Sequence, residues 1–511
     1  MVIKMENNLR EQIREANVRT KADAELLRDS EIRNGEFIRY FGKSTEVVIP
    51  DSVTLISDGA FRNNNRLMKV TVGKNVQVIE PNAFRDCSAL REVCFSAGLR
   101  QIGADAFYGC RSLVSVILPR AVVSIGAGAF RGCKQLSHLV LSSALERIGA
   151  FAFCDCEALT ELTLPEKLEA IPRGTFFNCR SIRRIQIPQS VRTVGRYAFG
   201  CCVSLEDLTL PDGVTYLGSG VLSECLALRH FRVPPLVQFV GDYAFSRCEN
   251  LETIQLPTSL SYIGINAFCA CKKLKQIDIT PNVIRIAPAA FLGCTSLEKI
   301  VIPASVREIG KRAFAYCSSL CEVELQAAVP SIAESTFHSC FSLGAIDLPD
   351  SVRAIDEKAF FRCLTLSSVR LPKNLSVIGE YAFAECESLR ELSLPPMLER
   401  VGESAFADCT SLIAMLLPNR RVSVGRAAFS GCDALEILAV PDTSRLLTYS
   451  LDRWAVPLST HVVTRRELRY SLVLAEIADP ETPEERKKEL EKELLQIKKK
   501  MRRPLKTRAE K

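Results

Sequence analysis

Histidine is scarce in this chain. His138, His230, His338 and His461 are the four in 511 residues, and they lie far apart with no carboxylate or cysteine at ligand spacing. That argues against a histidine-centred metal site or a nucleophile–base pair. Long apolar runs are missing as well, since nothing approaches the ~20 consecutive apolar residues that span a bilayer. The opening stretch, MVIKMENNLREQIREANVRTKADAELL, is charged throughout and lacks the apolar centre of a secretory leader. A cytoplasmic protein is therefore expected. Nor is there a large excess of one charge: 66 basic residues face 59 acidic ones, a net of +7. Residues 498–511 hold eight basic residues and one acidic one, which accounts for the whole surplus and leaves 58 of each sign elsewhere.

What the chain does have is a period. Phenylalanine stands at Phe61, Phe84, Phe107, Phe130, Phe153, Phe176 and Phe199, and after Leu222 it resumes from Phe245 to Phe429. Every step is 23 residues over 17 copies, without insertion or deletion. Cysteine follows three residues later from Cys87 to Cys432, and the first copy has Asn64 there. A fixed period of this size marks a solenoid of stacked coils. One coil cannot bury its own apolar face, so stability has to come from neighbour on neighbour.

The copy LEKIVIPASVREIGKRAFAYCSS, from Leu297, predicts how a coil is built. Leu297, Ile300 and Ile302 form a short strand facing inward, and Pro303 ends it because it has no N–H for the ladder. Val306 and Ile309 line the returning wall; the phase of Ile309 is aliphatic in all 17 copies. Glycine follows in 11 of them, either for an unusual torsion or for lack of space. Ala313 and Phe314 fill the interior, and Cys317 closes the coil. A cysteine every 23 residues in a long apolar chain reads as a small buried hydrophobe, so reduced thiols are expected.

Apparent chemical motifs dissolve into the same period. In CDC at Cys154 and CAC at Cys269, the second cysteine is the repeat position and the first is a variable one. The glycines of GAGAFRG at Gly126 fall in the repeat too, without the strand–helix unit of a phosphate loop. No catalytic residue, metal site or cofactor is assigned.

The string Leu-x-x-Ile-x-Leu-Pro-x-Ser-Val-x-x-Ile-Gly-x-x-Ala-Phe-x-x-Cys resembles the BspA-like class of leucine-rich repeats, over roughly Ser44 to Pro441. It departs from ordinary leucine-rich repeats, whose strand is followed by a buried asparagine ladder. Here that phase varies: Ser52, Asn75, Gly98, Ala121, Lys167, Ser190, Asn282. The resemblance implies a repeat solenoid with a parallel β-sheet on one face, mostly β and irregular, and a protein of host-associated microbes that binds other proteins or surfaces. The organisation expected is a polar helix and cap over residues 1–43, the solenoid over 44–441 with 17 repeats and a final strand, a cap over 442–478, and a charged, basic helical tail over 479–511. Leu9, Ile13 and Ala16 would stripe the first helix, and Phe37, Ile38, Tyr40 and Phe41 would lid the first coil. The last helix is expected to project or to form a coiled-coil seam.

So much surface points to binding. Alternate strand residues face outward, which selects Arg184, Gln186, Asp207, His230, Arg232 and Gln255 as a partner-binding patch. Asp207 is expected to hold the two arginines for an acidic or carbonyl-rich partner. Further along, the outward positions turn apolar at Ala414, Leu416, Ile437 and Ala439, which calls for a cover. The reading is a non-enzymatic protein-interaction scaffold. Two alternatives stand beside it: a binder of nucleic acid or anionic surfaces through Lys498, Lys499, Lys500, Arg502 and Arg503, and an adhesin-like surface protein exported by an unseen route.

Overall fold

The structure is a computed structural model describing residues 26–419, 421–441, 447–479 and 482–500. It comprises two units, Met1–Leu260 and Ser261–Lys511, and each contains a stretch of parallel β-solenoid. Every coil has three walls. The coil at Leu297 shows the first in Lys299–Ile302, where Ile300 and Ile302 are buried and Lys299 is exposed. Its register partners are one period away, Ile277 before and Val323 after. The second wall is the two-residue strand Glu308–Ile309, paired with Arg285–Ile286. Between them, Ser305 Oγ donates to Val283 O at 2.7 Å. Ser190 and Ser351 make the same reach to Leu168 and Val329. A hydroxyl thus ties this corner to the coil before it, where an asparagine ladder was not found.

The structure also decides why glycine recurs after Ile309. Gly310 is not left-handed; a Cβ there would sit 2.3 Å from Pro288 N and 2.6 Å from Ala287 C. Close approach of backbones, not torsion, excludes a side chain.

The third wall holds a ladder that residue patterns did not announce. The N–H groups of Arg312, Phe314 and Tyr316 donate to the carbonyls of Glu334, Thr336 and His338 at 2.9, 3.0 and 2.7 Å. Arg312 and Tyr316 are left-handed, with φ of 58° and 61°. Phe151 and Asp155, and Tyr197 and Cys201, repeat this in the first unit. Each such non-glycine residue costs about 1–3 kcal/mol, and the bonds to the next coil hold it there.

Behind this wall the phenylalanines stack. Phe314 lies between Phe291 at 5.3 Å and Phe337 at 5.7 Å, its ring nearly parallel to both. The repeat cysteine does more than fill space. Cys317 Sγ donates to Phe291 O at 3.2 Å, a carbonyl that also accepts from Cys294 N–H. Burial pushes the Cys317 thiol up to about 12. None of the 21 cysteines is in a disulfide; Cys321 is exposed, Cys94, Cys201 and Cys269 are partly covered, and the other seventeen are buried. Native protein is therefore expected to react with a bulky thiol reagent at no more than those four positions, and at 21 in denaturant without reductant. A much lower count in denaturant would mean oxidised pairs.

At the N-terminal end, Ser30–Arg33 and Glu36–Tyr40 form an antiparallel hairpin whose second strand pairs in parallel with Leu55–Ile56. Its turn is Asn34-Gly35, with φ of 51° and 81°, the dipeptide favoured by a two-residue hairpin loop. Phe37 is buried and stacks on Phe61 at 4.8 Å. Phe41, expected in the lid, is instead 61% exposed. Leu9, Ile13 and Ala16 lie outside the described residues.

At the other end, Ile437–Val440 was expected to be the last strand, yet part of a coil follows. The helix Leu447–Arg453 brings the Arg453 and Trp454 carbonyls to the N–H groups of Ala427 and Phe429, at 2.7 and 2.9 Å. They replace the third wall of a next coil. Strand His461–Thr464 then pairs in parallel with Ile437–Val440, and Ala439 is buried. The apolar end is thus covered by the chain itself. Thr464 and Glu467 form the expected capping box on the helix Arg465–Ala478. The helix Glu484–Lys500 does not project: it folds back antiparallel, through Arg469–Glu493 at 2.8 and 3.0 Å and Arg486–Glu476 at 3.1 Å, over buried Val473 and Leu490. Among the described residues no helix is long and apolar enough to cross a membrane.

In the first unit both strand ladders stop together at two coil boundaries while the third wall continues across each. The first stop separates His138–Val140 and Arg147–Ile148 from Glu161–Thr163 and Ala170–Ile171. Pro172 stands there at the glycine phase, where Gly149 and Gly195 donate N–H to Ile125 and Ile171, and it has no proton to give. The second stop lies between residues 207–217 and 230–240.

Candidate interaction site on the sheet face

The selected residues occupy outward positions of the first wall in the first unit. Arg184 and Gln186 flank buried Ile185 and are both exposed. Gln186 Oε1 accepts from Thr163 Oγ1 at 3.1 Å, one coil back. Asp207 follows Arg184 through a single parallel bridge rather than a full ladder. Strand His230–Arg232 pairs with Thr253–Gln255, and His230 Nδ1 lies 2.8 Å from Thr253 Oγ1.

The expected role of Asp207 is corrected. Arg232 is held by Asp212, at 2.6 Å, from the turn after the neighbouring first-wall segment. Among the described residues no carboxylate lies within ion-pair distance of Arg184, and Asp207 pairs with neither arginine. An acid placed beside a cation in register still pairs only if its side chain reaches, and the longer reach from the turn wins here. Asp212 was therefore the residue missed; its sole sequence signal is the Pro-Asp-Gly turn at Pro211.

Four of the six selected residues come together. Asp207, His230, Arg232 and Gln255, with Thr209 and Thr253, surround a shallow depression of about 260 Å³. Its floor is Leu208, Leu210 and Phe231. Arg184 and Gln186 are outside it. The rim offers a guanidinium, an imidazole, an amide and a carboxylate over an apolar floor, a set that recognises polar groups around an inserted side chain. Among the described residues no group of three histidine, cysteine or acidic side chains could hold a metal ion.

The basic tail is only partly in view. Lys498 Nζ lies 5.7 Å from the centre of the Tyr470 ring. The side chains of Lys499 and Lys500, and all of Arg502 and Arg503, lie outside the described residues.

Among solved structures, the chain is similar to a leucine-rich repeat protein from Bacteroides ovatus, at 24% identity and a TM-score of 0.45, covering 84% of this chain and 94% of that one. It is similar to a leucine-rich cell surface protein from Faecalibacterium prausnitzii, at 26% identity and a TM-score of 0.41, covering 70% and 89%. A leucine-rich repeat protein of T. pallidum matches at 29% identity and a TM-score of 0.34, covering 35% and 90%. No curated protein matches. The family model for the BspA type leucine-rich repeat region matches residues 30–146, 123–252, 238–365 and 330–451. With that match spanning most of the chain, and with coils built on its 23-residue period, this protein belongs to the BspA-type leucine-rich repeat family, whose members serve as interaction or surface scaffolds.

Proposed function

We propose that this protein is a non-enzymatic scaffold that binds a protein partner on the sheet face of its first unit, at Arg184, Gln186, Asp207, His230, Arg232 and Gln255. One observation carries the reading: the depression ringed by Asp207, His230, Arg232 and Gln255 puts exposed donors and acceptors above an apolar floor. A partner side chain entering it would find shape and hydrogen bonds together, the combination that concentrates binding energy.

The test is a pull-down from native lysate with the full chain, then affinity measurement for the protein recovered. Arg184→Glu with Gln255→Glu alters two exposed side chains, neither in an ion pair, so melting should not move. Affinity should fall at least about tenfold, roughly 1.4 kcal/mol. Unchanged affinity would remove the sheet face from the interaction. If truncation after Gln496 alone abolishes capture, and binding falls steeply with salt, the basic tail is the binder instead.

A further inference from the structure

The depression lies on the second of the two boundaries where both strand ladders stop. On its near side are Asp207 and Thr209; on its far side are His230 and Arg232. The amides that would bridge the gap are identifiable from neighbouring coils. Glu206 and Glu252 N–H donate one coil back, to Arg183 and Arg229, and Gly218 N–H donates to Val194 at 2.8 Å. At the boundary, Arg229 and Gly241 N–H have no such backbone partner among the described residues. The third wall and the corner after it are continuous there: Gly220, Leu222 and Glu224 N–H donate to Asp242, Ala244 and Ser246 at 2.8, 2.9 and 2.8 Å, and Ala227 N–H donates to Val203 at 3.0 Å.

The cause is a displaced aromatic. Leu222 interrupts the phenylalanine column at this coil, and Phe231 appears at an inward strand phase held by Ile185, Leu208 and Ile254 nearby. Phe231 leans on Phe245, with centroids 5.1 Å apart and planes at 57°, and keeps its register with Ile254. Its bulk is thus accommodated toward the following coil, and the strands separate on the Leu208 side. A side chain too large for its layer shifts backbone. Across the opened side runs the Arg232–Asp212 ion pair, whose side chains are 54% and 69% exposed. Exposed pairs of this kind contribute little and yield to competing anions.

We propose that this boundary is a hinged joint: the third wall is the hinge, Arg232–Asp212 is the clasp, and a carboxylate that takes Arg232 from Asp212 opens it. This rests on the sheet-face reading above and adds to it that occupation of the site changes the angle between the coils on either side. Opening exposes the buried floor at Leu208.

The experiment uses the full chain with its accessible thiols first blocked, and reads the labelling rate of Leu208→Cys, with Val116→Cys in a continuous ladder as control. Adding Asp212→Asn should raise the rate at position 208 about threefold and leave position 116 unchanged, as expected for local rather than global opening. Soluble polyglutamate, as the carboxylate probe, should raise it in the presence of Asp212. Leu222→Phe with Phe231→Ile returns the aromatic to its column and should slow labelling at position 208. An unchanged rate with Asp212→Asn, an equal rise at both positions, or no response to polyglutamate would each overturn the proposal. If Leu208→Cys does not fold, Leu210→Cys reads the same floor. None of these measurements needs the protein partner, so loss of the sheet-face reading and loss of the joint are separate results.

Discussion

Raising the pH from about 9 to 11 is expected to unfold the solenoid, because the thiol column titrates in the unfolded chain far below its native range. Burial pushes Cys87, Cys248, Cys317 and Cys363 up to about 12, and raises Cys110, Cys294 and Cys386 as well. A free cysteine ionises near pH 8.5. Below that value both states hold the proton and stability does not change. Above it the unfolded chain releases protons that the folded chain retains, so stability falls with pH until the native thiols ionise too. Each such thiol removes about 1.4 kcal/mol per pH unit in that window. A block of several coils that unfolds together loses several times this, against domain stabilities of about 5–15 kcal/mol. Circular dichroism followed from pH 8 to 12 under reductant is the measurement. A signal flat to pH 11.5 would mean that the column is not carried as protonated thiols.

Phe314→Ala is expected to cost about 3–5 kcal/mol by leaving a cavity between Phe291 and Phe337. Stacked rings on both sides limit how far the coil can collapse into the space. The damage should be confined, since each coil touches only its neighbours and stability is a sum of nearest-neighbour terms. Limited proteolysis should nick the chain near residue 314 while flanking coils persist. Uniform, all-at-once digestion at the same protease concentration would contradict local coupling.

Much of this architecture is legible in the residue pattern. The 23-residue step dictates parallel pairing in register, because equal coils stack only with equivalent residues opposite, and Ile277, Ile300 and Val323 do so. Aliphatic residues at the Ile309 phase and phenylalanine at the Phe314 phase name the core, since those side chains have nowhere else to be buried. The capping box at Thr464 and the burial of the repeat cysteines were legible for the same local reasons. The outward residues of the sheet could be named from alternation alone, and Asp207, His230, Arg232 and Gln255 do share one depression.

Side-chain reach and the spacing of backbones were decided only in three dimensions. Asp212 rather than Asp207 holds Arg232 because the turn brings its carboxylate closer, which register does not encode. The third-wall ladder depends on left-handed residues as different as Arg312, Phe151 and Asp155, so no residue type marks it. Gly310 answers to a backbone one coil away, a contact invisible along the chain. The sequence by itself determined the period, the core and the outward face, because burial and alternation are local consequences of residue type. Only the tertiary structure decided that the ladders part a second time before His230, because that depends on how Phe231 and Leu222, nine residues apart, share one layer between neighbouring coils.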